Sequence, residues 1–309
     1  MSETPSISGE TIWLDGRFVD WSAANVHILT HTLHYGLGVF EGIRCYRTAD
    51  DRSAVFRLWD HIRRLFDSAR INLLEIPFDP KQIEEASLET VRRNRLQEGY
   101  IRPIVFIGDG AMGLNPGSNA IRVAIIAWPW GKYLGEEGME IGIQAKVSTF
   151  SRHHVNAKMT KGKTCGDYVN SILAKREALL DGYDEAIMLD TQGLISEATG
   201  ENLFLVKKDE LQTPPLPTVL AGITRESVIE IARDKGLRIH ERSLTRDELY
   251  IADELFLTGT AAEVTPIREV DRRTIGTGSR GPVTKALQDA FFDAVSGREP
   301  KYARWLTHV

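Results

Sequence analysis

Three lysines, Lys158, Lys161 and Lys163, crowd a short polar segment that runs into Tyr168. Taken alone they describe a solvated basic loop ahead of a helix. Downstream segments give them company. Leu194-Ile195-Ser196-Glu197-Ala198 sets a carboxylate among small residues where a hairpin ends. Leu220-Ala221-Gly222-Ile223-Thr224-Arg225 is a glycine turn feeding a helix N-terminus, a place where free N–H groups and the helix dipole favour phosphate. Leu257-Thr258-Gly259-Thr260-Ala261-Ala262 adds a second small-residue turn with free backbone N–H groups.

Other suggestive strings fail on context. Gly108 to Gly113 and Gly276 to Gly281 both satisfy G-x-G-x-x-G, but a dinucleotide fingerprint must follow a strand, open a helix and precede an acidic residue. Asn115-Pro116-Gly117 interrupts the first where its helix belongs, and the second follows the polar Asp271-Arg272-Arg273 as a loop. His27, His31 and His34 share helical spacing but lack a carboxylate-rich partner segment, so no metal is expected. Metalloprotease, esterase and P-loop strings do not occur.

The elements that must position these groups follow from periodicity and punctuation. Strands are predicted around Ile12 to Val19 and Gly38 to Tyr46. Leu58, Ile62, Leu65, Phe66 and Ala69 share one face of a helix. A second helix runs from Pro80, suited to a first turn, to about Leu96. Ile101 to Ile107 and Ile121 to Ala127 are buried strands. Pro129, Gly131, Gly135 and Gly138 then punctuate an interdomain connection at 128–138, dividing the chain into 1–127 and 139–309. Beyond it come a strand at Ile141 to Val147, a helix from Asp167 to Gly182, and a hairpin of Glu185 to Asp190 with Leu194 to Ala198. A strand at Asn202 to Val206 and a helix from Thr224 to Lys235, stopped by Gly236, precede a strand at Glu254 to Leu257 and a helix at Pro282 to Val295. Strands and helices mix without strict alternation, so the class is α+β or mixed α/β.

Composition sets outer bounds. The 309 residues are 42% apolar and 26% charged, with a net charge of −5 and no basic stripe for nucleic acid or an anionic membrane. No apolar run reaches the ~20 residues that span a bilayer. The polar start, Met1 to Pro5, lacks signal-peptide features, and Cys45 and Cys165 suggest neither a disulfide framework nor a zinc motif. A cytoplasmic protein is expected.

At this point the whole chain resembles the branched-chain aminotransferases, pyridoxal-phosphate enzymes of fold type IV. The resemblance rests on His34-Tyr35-Gly36 through Val39-Phe40-Glu41-Gly42-Ile43-Arg44, Tyr100-Ile101-Arg102-Pro103 and Gly113-Leu114-Asn115-Pro116 in the first half. In the second half it rests on the lysine segment, Ser196-Glu197 through Glu201-Asn202-Leu203-Phe204, Gly222-Ile223-Thr224-Arg225 and Gly259-Thr260-Ala261. It implies two α+β domains, small then large, as in the D-amino acid aminotransferases, with pyridoxal 5′-phosphate in the cleft between them. Lys163, assigned to the second domain, becomes the Schiff-base lysine and catalytic residue. Lys158 and Lys161 fall outside that position as structural or surface residues. Glu197 meets the pyridine nitrogen and Tyr168 the ring hydroxyl. Arg64, Leu220, Gly222, Ile223, Thr224 and Thr260 complete the cofactor contacts. Tyr35, Phe40, Gly42, Tyr100, Arg102, Tyr133, Thr260 and Ala261 line the substrate pocket. Cys165 and Asp167 depart from common bacterial relatives and receive no role.

The implied reaction is reversible transamination of L-leucine, L-isoleucine and L-valine with 2-oxoglutarate, in branched-chain amino acid biosynthesis. A homodimer or higher homo-oligomer is implied, with the partner's loop near Met112 to Asn115 finishing the active site. D-amino acid and (R)-amine transaminases share the lysine and the glutamate. Tyr100-Ile101-Arg102 and the Gly113 to Pro116 turn favour branched-chain substrates over theirs.

Overall fold

Two antiparallel-rich sheets organise the chain. The structure, a computed structural model, describes residues 7–131 and 135–309. It divides into two compact units: Met1–Gly131 with Gly162–Gly166 and Ala294–Val309, and Lys132–Lys161 with Asp167–Asp293.

The first unit is built on an eight-stranded antiparallel sheet. Its strands run in the order Leu306–His308, Ser53–Phe56, Ile43–Arg47, Gly99–Ile107, Ile121–Trp128, Thr11–Leu14 and Arg17–Asp20, and Gly38–Phe40 also pairs with Gly99–Ile107. The Leu58–Ile71 helix buries Leu58, Ile62, Leu65 and Ala69 in this unit's core, as their spacing predicts. Pro80 opens the Pro80–Arg93 helix behind a capping box formed by Asp79 and Gln82.

The second unit is a nine-stranded mixed sheet. Its order is Ile195–Ala198, Glu185–Leu189, Ile143–Val147, Glu263–Val270, Glu254–Gly259, Asn202–Lys207, Glu210–Thr213 and Ile239–Glu241, with Arg273–Thr274 beside Glu263–Val270. The pairings of Ile143–Val147 with Glu185–Leu189 and with Glu263–Val270, and of Glu210–Thr213 with Ile239–Glu241, are parallel. The Tyr168–Leu180, Ile223–Asp234 and Pro282–Val295 helices belong to this unit or end at its border.

Two segments depart from the linear division at 128–138. Leu306–His308 pairs with Ser53–Phe56, which draws the C-terminal residues into the first unit. Lys163, expected with the second domain, also groups with the first, because Gly162–Gly166 is bonded to Gly36–Phe40 and to the Leu58–Ile71 helix. Gly276 to Gly281 does lead into the Pro282–Val295 helix. That N-terminus is filled from within, since Glu254 accepts from Val283 N at 2.9 Å and Thr284 N at 2.7 Å. No helix follows Gly108 to Gly113 before the next strand.

Strand alternation puts Asn202, Phe204 and Val206 on one face and Leu203 and Leu205 on the other. Phe204 lies opposite Phe256 on the neighbouring strand, with ring centroids 5.0 Å apart and planes 7° from parallel. Both rings are fully buried. Phe204→Ala is expected to lower the free energy of unfolding by about 3–5 kcal/mol, the range for deleting a buried aromatic. Denaturant titration checks this, and a loss below about 1 kcal/mol would contradict a tightly packed pair.

Candidate active site

In the first unit, Lys163 is fixed by its backbone. Its N–H donates to Ser68 Oγ at 3.0 Å, and its carbonyl accepts from Phe40 N at 3.1 Å. Thr164 forms an antiparallel bridge with Val39, and Asn72 Nδ2 donates to Thr164 Oγ1 at 3.1 Å. Arg64, Ser68 and Asn72 recur at i, i+4 and i+8, so one face of the Leu58–Ile71 helix and its C-cap aligns all three. The Lys163 ammonium then stands 5.0 Å from the centre of the Phe40 ring.

The same ring meets Arg102. Tyr100 and Arg102 are two residues apart on one strand, so they share a face, and Trp128 lies opposite Tyr100 on the next strand. The Arg102 guanidinium sits 4.7 Å from the Phe40 ring, 5.3 Å from Tyr100 and 5.9 Å from Trp128. Its Nε is buried and has no hydrogen-bond partner among the described residues. Gly42 makes room for this cluster, because a Cβ there would stand 1.8 Å from the Tyr100 hydroxyl. Tyr35 is half-exposed and meets the His31 ring rather than this cluster. Tyr133 lies outside the described residues. Arg64 pairs with the buried Glu41, its Nε reaching Oε1 at 2.6 Å.

In the second unit, Glu197 is buried with both oxygens engaged. Arg152 donates to Oε1 from Nε at 3.0 Å and from Nη2, and its Nη1 donates to Ser171 Oγ at 2.7 Å. Ser171 stands one turn into the helix that Tyr168 opens. Burial alone would lower the Arg152 pKa, but the Glu197 carboxylate beside it raises it, so the guanidinium keeps its charge. Glu197 Oε2 accepts from Leu220 N and Asn202 Nδ2, each at 3.3 Å. Asn202 Nδ2 also donates to Leu220 O at 3.1 Å, which turns its Oδ1 toward Gly222. A Cβ at Gly222 would stand 2.0 Å from that oxygen, so only glycine permits the approach. Gly222 caps the Ile223–Asp234 helix, whose first-turn N–H groups have no intrahelical acceptor. Thr224 is buried at this N-terminus, and Thr260 and Ala261 form the half-buried turn after Glu254–Gly259.

Two lysines of the crowded segment are structural. Lys161 Nζ donates to the carbonyls of Leu216 and Val219, tying down the strand of loop that enters the Gly222 turn. Lys158 Nζ lies 4.0 Å from Asp167 Oδ2, which gives Asp167 an electrostatic partner. The three histidines each bond backbone groups, His31 Nε2 to Gly113 O at 2.7 Å among them.

Residues 38–270 match the family described as Amino-transferase class IV. A curated branched-chain-amino-acid aminotransferase of Pseudomonas aeruginosa is 52% identical over 298 residues, 96% of this chain and 97% of its own length. The chain belongs to the branched-chain aminotransferases of class IV. The crystal structure of the Escherichia coli branched-chain aminotransferase superposes with a TM-score of 0.94 at 45% identity, covering 97% of this chain and 99% of that one. The T.th. branched-chain aminotransferase complexed with N-(5′-phosphopyridoxyl)-L-glutamate also gives 0.94, at 46% identity, covering 98% and 99%.

Arg152, Asn202, Ser68, Asn72 and His61 escaped the sequence reading as functional supports. Glu41 gave the one usable signal: a carboxylate flanked by buried strand residues needs a cationic partner. Arg152 gave none, since its link to Glu197 spans unrelated sequence.

Beside Asn202, Glu201 is buried and accepts from Gly200 N at 3.0 Å, with its Cγ packed against Gly259. Burial, reinforced by the neighbouring Glu185 carboxylate against the pull of Lys175, pushes Glu201 up to about 8. A raised folded value means the folded state holds more protons than the unfolded one, so this contribution is full below the ordinary carboxylate range and lost as pH rises through about 8. Glu201→Gln is therefore expected to flatten the fall in unfolding free energy between about pH 5 and about pH 8. Identical pH slopes for the variant and the parent would show that Glu201 is ionised in the fold.

Proposed function

We propose that this chain catalyses reversible amino transfer between L-leucine, L-isoleucine or L-valine and 2-oxoglutarate, giving the branched 2-oxo acid and L-glutamate. The observation that carries the reading is the Phe40 ring shared by Lys163 and Arg102, which puts an amine and a carboxylate-binding group around one apolar wall. The T.th. relative, complexed with a phosphopyridoxyl derivative of glutamate, supports the same chemistry.

The donor set fits pyridoxal phosphate. The Gly222 approach and the helix N-terminus suit a phosphate, the buried Thr258 Oγ1, without a hydrogen-bond partner among the described residues, lies in the strand leading to Thr260, and Glu197 suits a protonated ring nitrogen. In this proposal Arg64, Ile223, Thr224 and Thr260 hold the phosphate, with Leu220 and Gly222 shaping its turn. Tyr168 approaches the ring hydroxyl. Bound pyridoxal phosphate supplies an aldehyde that condenses with amines and a ring that withdraws the electrons released at Cα. Lys163 Nζ would hold the cofactor, and the same amine would serve as the base and acid that moves the proton at the substrate Cα. Arg152 orients Glu197 by donating twice to its Oε1.

Substrate recognition divides between Arg102 and the rings around it. Phe40, Tyr100 and Trp128 offer apolar contact to a branched side chain, while Arg102, whose Nε has no hydrogen-bond partner among the described residues, would bind the side-chain carboxylate of glutamate. Tyr35, Gly42, Tyr133 and Ala261 complete the proposed pocket. A homo-oligomer is also proposed, supported by Leu33, Met112 and Leu114, which the first unit leaves exposed and which sit on segments joined by the bond from His31 to Gly113. Among the described residues no helix is long and apolar enough to cross a membrane, in keeping with a cytoplasmic enzyme.

Lys163→Ala is expected to abolish transamination and the borohydride-reducible adduct. Lys158→Ala should retain both. Lys161→Ala should keep the adduct but bind cofactor more weakly, because the loop before Gly222 loses its tether. Peptide mapping after reduction checks the assignment, and a label on Lys161 would overturn it.

Arg102→Met separates the two substrates. A charge-assisted bond contributes roughly 1.5–3 kcal/mol, so the half-reaction with L-glutamate should weaken by about tenfold to a hundredfold. That with L-leucine should change much less. Stopped-flow absorbance with each amino acid alone decides it, and equal losses would reduce Arg102 to a brace.

A further inference from the structure

Glu41 is fully buried and none of the roles above uses it. Arg64 donates to it twice, from Nε to Oε1 at 2.6 Å and from Nη2 to Oε2 at 2.9 Å. His61, one turn earlier on the same helix, meets Oε2 through Nδ1 at 2.6 Å, and Gly42 N reaches that oxygen at 3.2 Å. An ionised carboxylate only accepts, so Nδ1 carries the imidazole proton. Burial alone would raise the Glu41 carboxyl, but Arg64 and His61 hold it well below the usual carboxylate range. Burial also lowers His61 and keeps it neutral, despite the pull of Glu41. The three groups therefore form a neutral assembly of one anion, one cation and one neutral ring.

A guanidinium has five N–H donors in two usable edges. Glu41 takes the side-on edge, formed by Nε and Nη2, and the end-on edge of Nη1 and Nη2 points away from it. We propose that Glu41, braced by His61, is a positioning residue that fixes the plane of Arg64 so that its end-on edge receives the cofactor phosphate. This rests on the phosphate role given to Arg64 above. Two effects of the carboxylate compete. A carboxylate that merely neutralised Arg64 would weaken phosphate binding, and its removal would tighten it. A positioning carboxylate acts in the opposite sense, because an unbraced arginine must lose its rotational freedom on binding. The two bonds to one carboxylate and the third to His61 are the arrangement of a brace.

The test compares dissociation constants of the cofactor-free full chain for pyridoxal phosphate and for pyridoxal, which lacks the phosphate, by absorbance titration. Glu41→Gln keeps the shape but loses the charged fork. Its preference for pyridoxal phosphate over pyridoxal should fall by about tenfold, the equivalent of one charge-assisted bond, with pyridoxal affinity nearly unchanged. Glu41→Asp keeps the charge and shortens the reach, so it should lose preference as well, and it stands in should the glutamine variant not fold. Arg64→Ala is the control and should lose the preference itself. A preference that is unchanged or increased in the Glu41 variants, with Arg64→Ala still showing its loss, overturns the positioning role alone. Equal weakening of both ligands marks Glu41 as structural and also overturns it. Full preference in Arg64→Ala removes the phosphate role of Arg64, and the role of Glu41 falls with it.

Discussion

Five residues, Gly162–Gly166, are bonded into a unit to which their neighbours on either side do not belong. The contacts are backbone ones at nearly every step: Lys163 to Ser68 and Phe40, Thr164 to Val39, and Gly166 N to Gly36 O at 2.9 Å. The position of the Lys163 backbone is thus set by a strand and a helix instead of by a free loop. Because Arg64 and Ser68 share a helix face, the arginine and the lysine backbone are also held at a fixed spacing along that helix. Reactive groups gain most from such rigid mounting, since misplacement of about 1 Å costs orders of magnitude in rate.

Buried ion pairs impose the second constraint. Arg152 with Glu197 and Arg64 with Glu41 each remove two charges from water. Their attraction in a low dielectric offsets that desolvation only when geometry and additional hydrogen bonds are good, so such pairs add little net stability. Both pairs have the additional bonds: Ser171, Asn202 and Leu220 around the first, His61 and Gly42 around the second. Losing one partner would strand the other charge. What these pairs provide is a carboxylate and a guanidinium of fixed direction, which is the property the proposed roles of Glu197 and Arg64 draw on.

Local chemistry was legible in the sequence and long-range chemistry was not. The Leu58–Ile71 helix, the Pro80 start, the turn at Gly222 and the strand at Asn202 follow from periodicity and punctuation within a few residues. The short strands Ser53–Phe56, Glu210–Thr213 and Leu306–His308 went unseen, because segments this brief are defined by the partner they pair with. The same reason hid Arg152 and His61, whose importance lies in contacts with Glu197 and Glu41 across unrelated sequence. Lys163 was singled out by resemblance alone, and its membership of the first unit rests on backbone bonds that no local pattern encodes.

The pairing of Leu306–His308 with Ser53–Phe56 also bears on how the chain is made. Synthesis delivers the first sheet early and its outer strand late, after the whole second unit has been translated. Until then Ser53–Phe56 presents an unpaired edge of N–H and C=O groups, the kind of edge that recruits other strands. Gly162–Gly166 is likewise supplied only once translation has entered the second unit. The first unit therefore cannot mature on the ribosome ahead of the second. Order of synthesis and order of completion are uncoupled: a chain that stops before Leu306 has an open edge, and one that stops before Gly162 lacks the lysine segment as well.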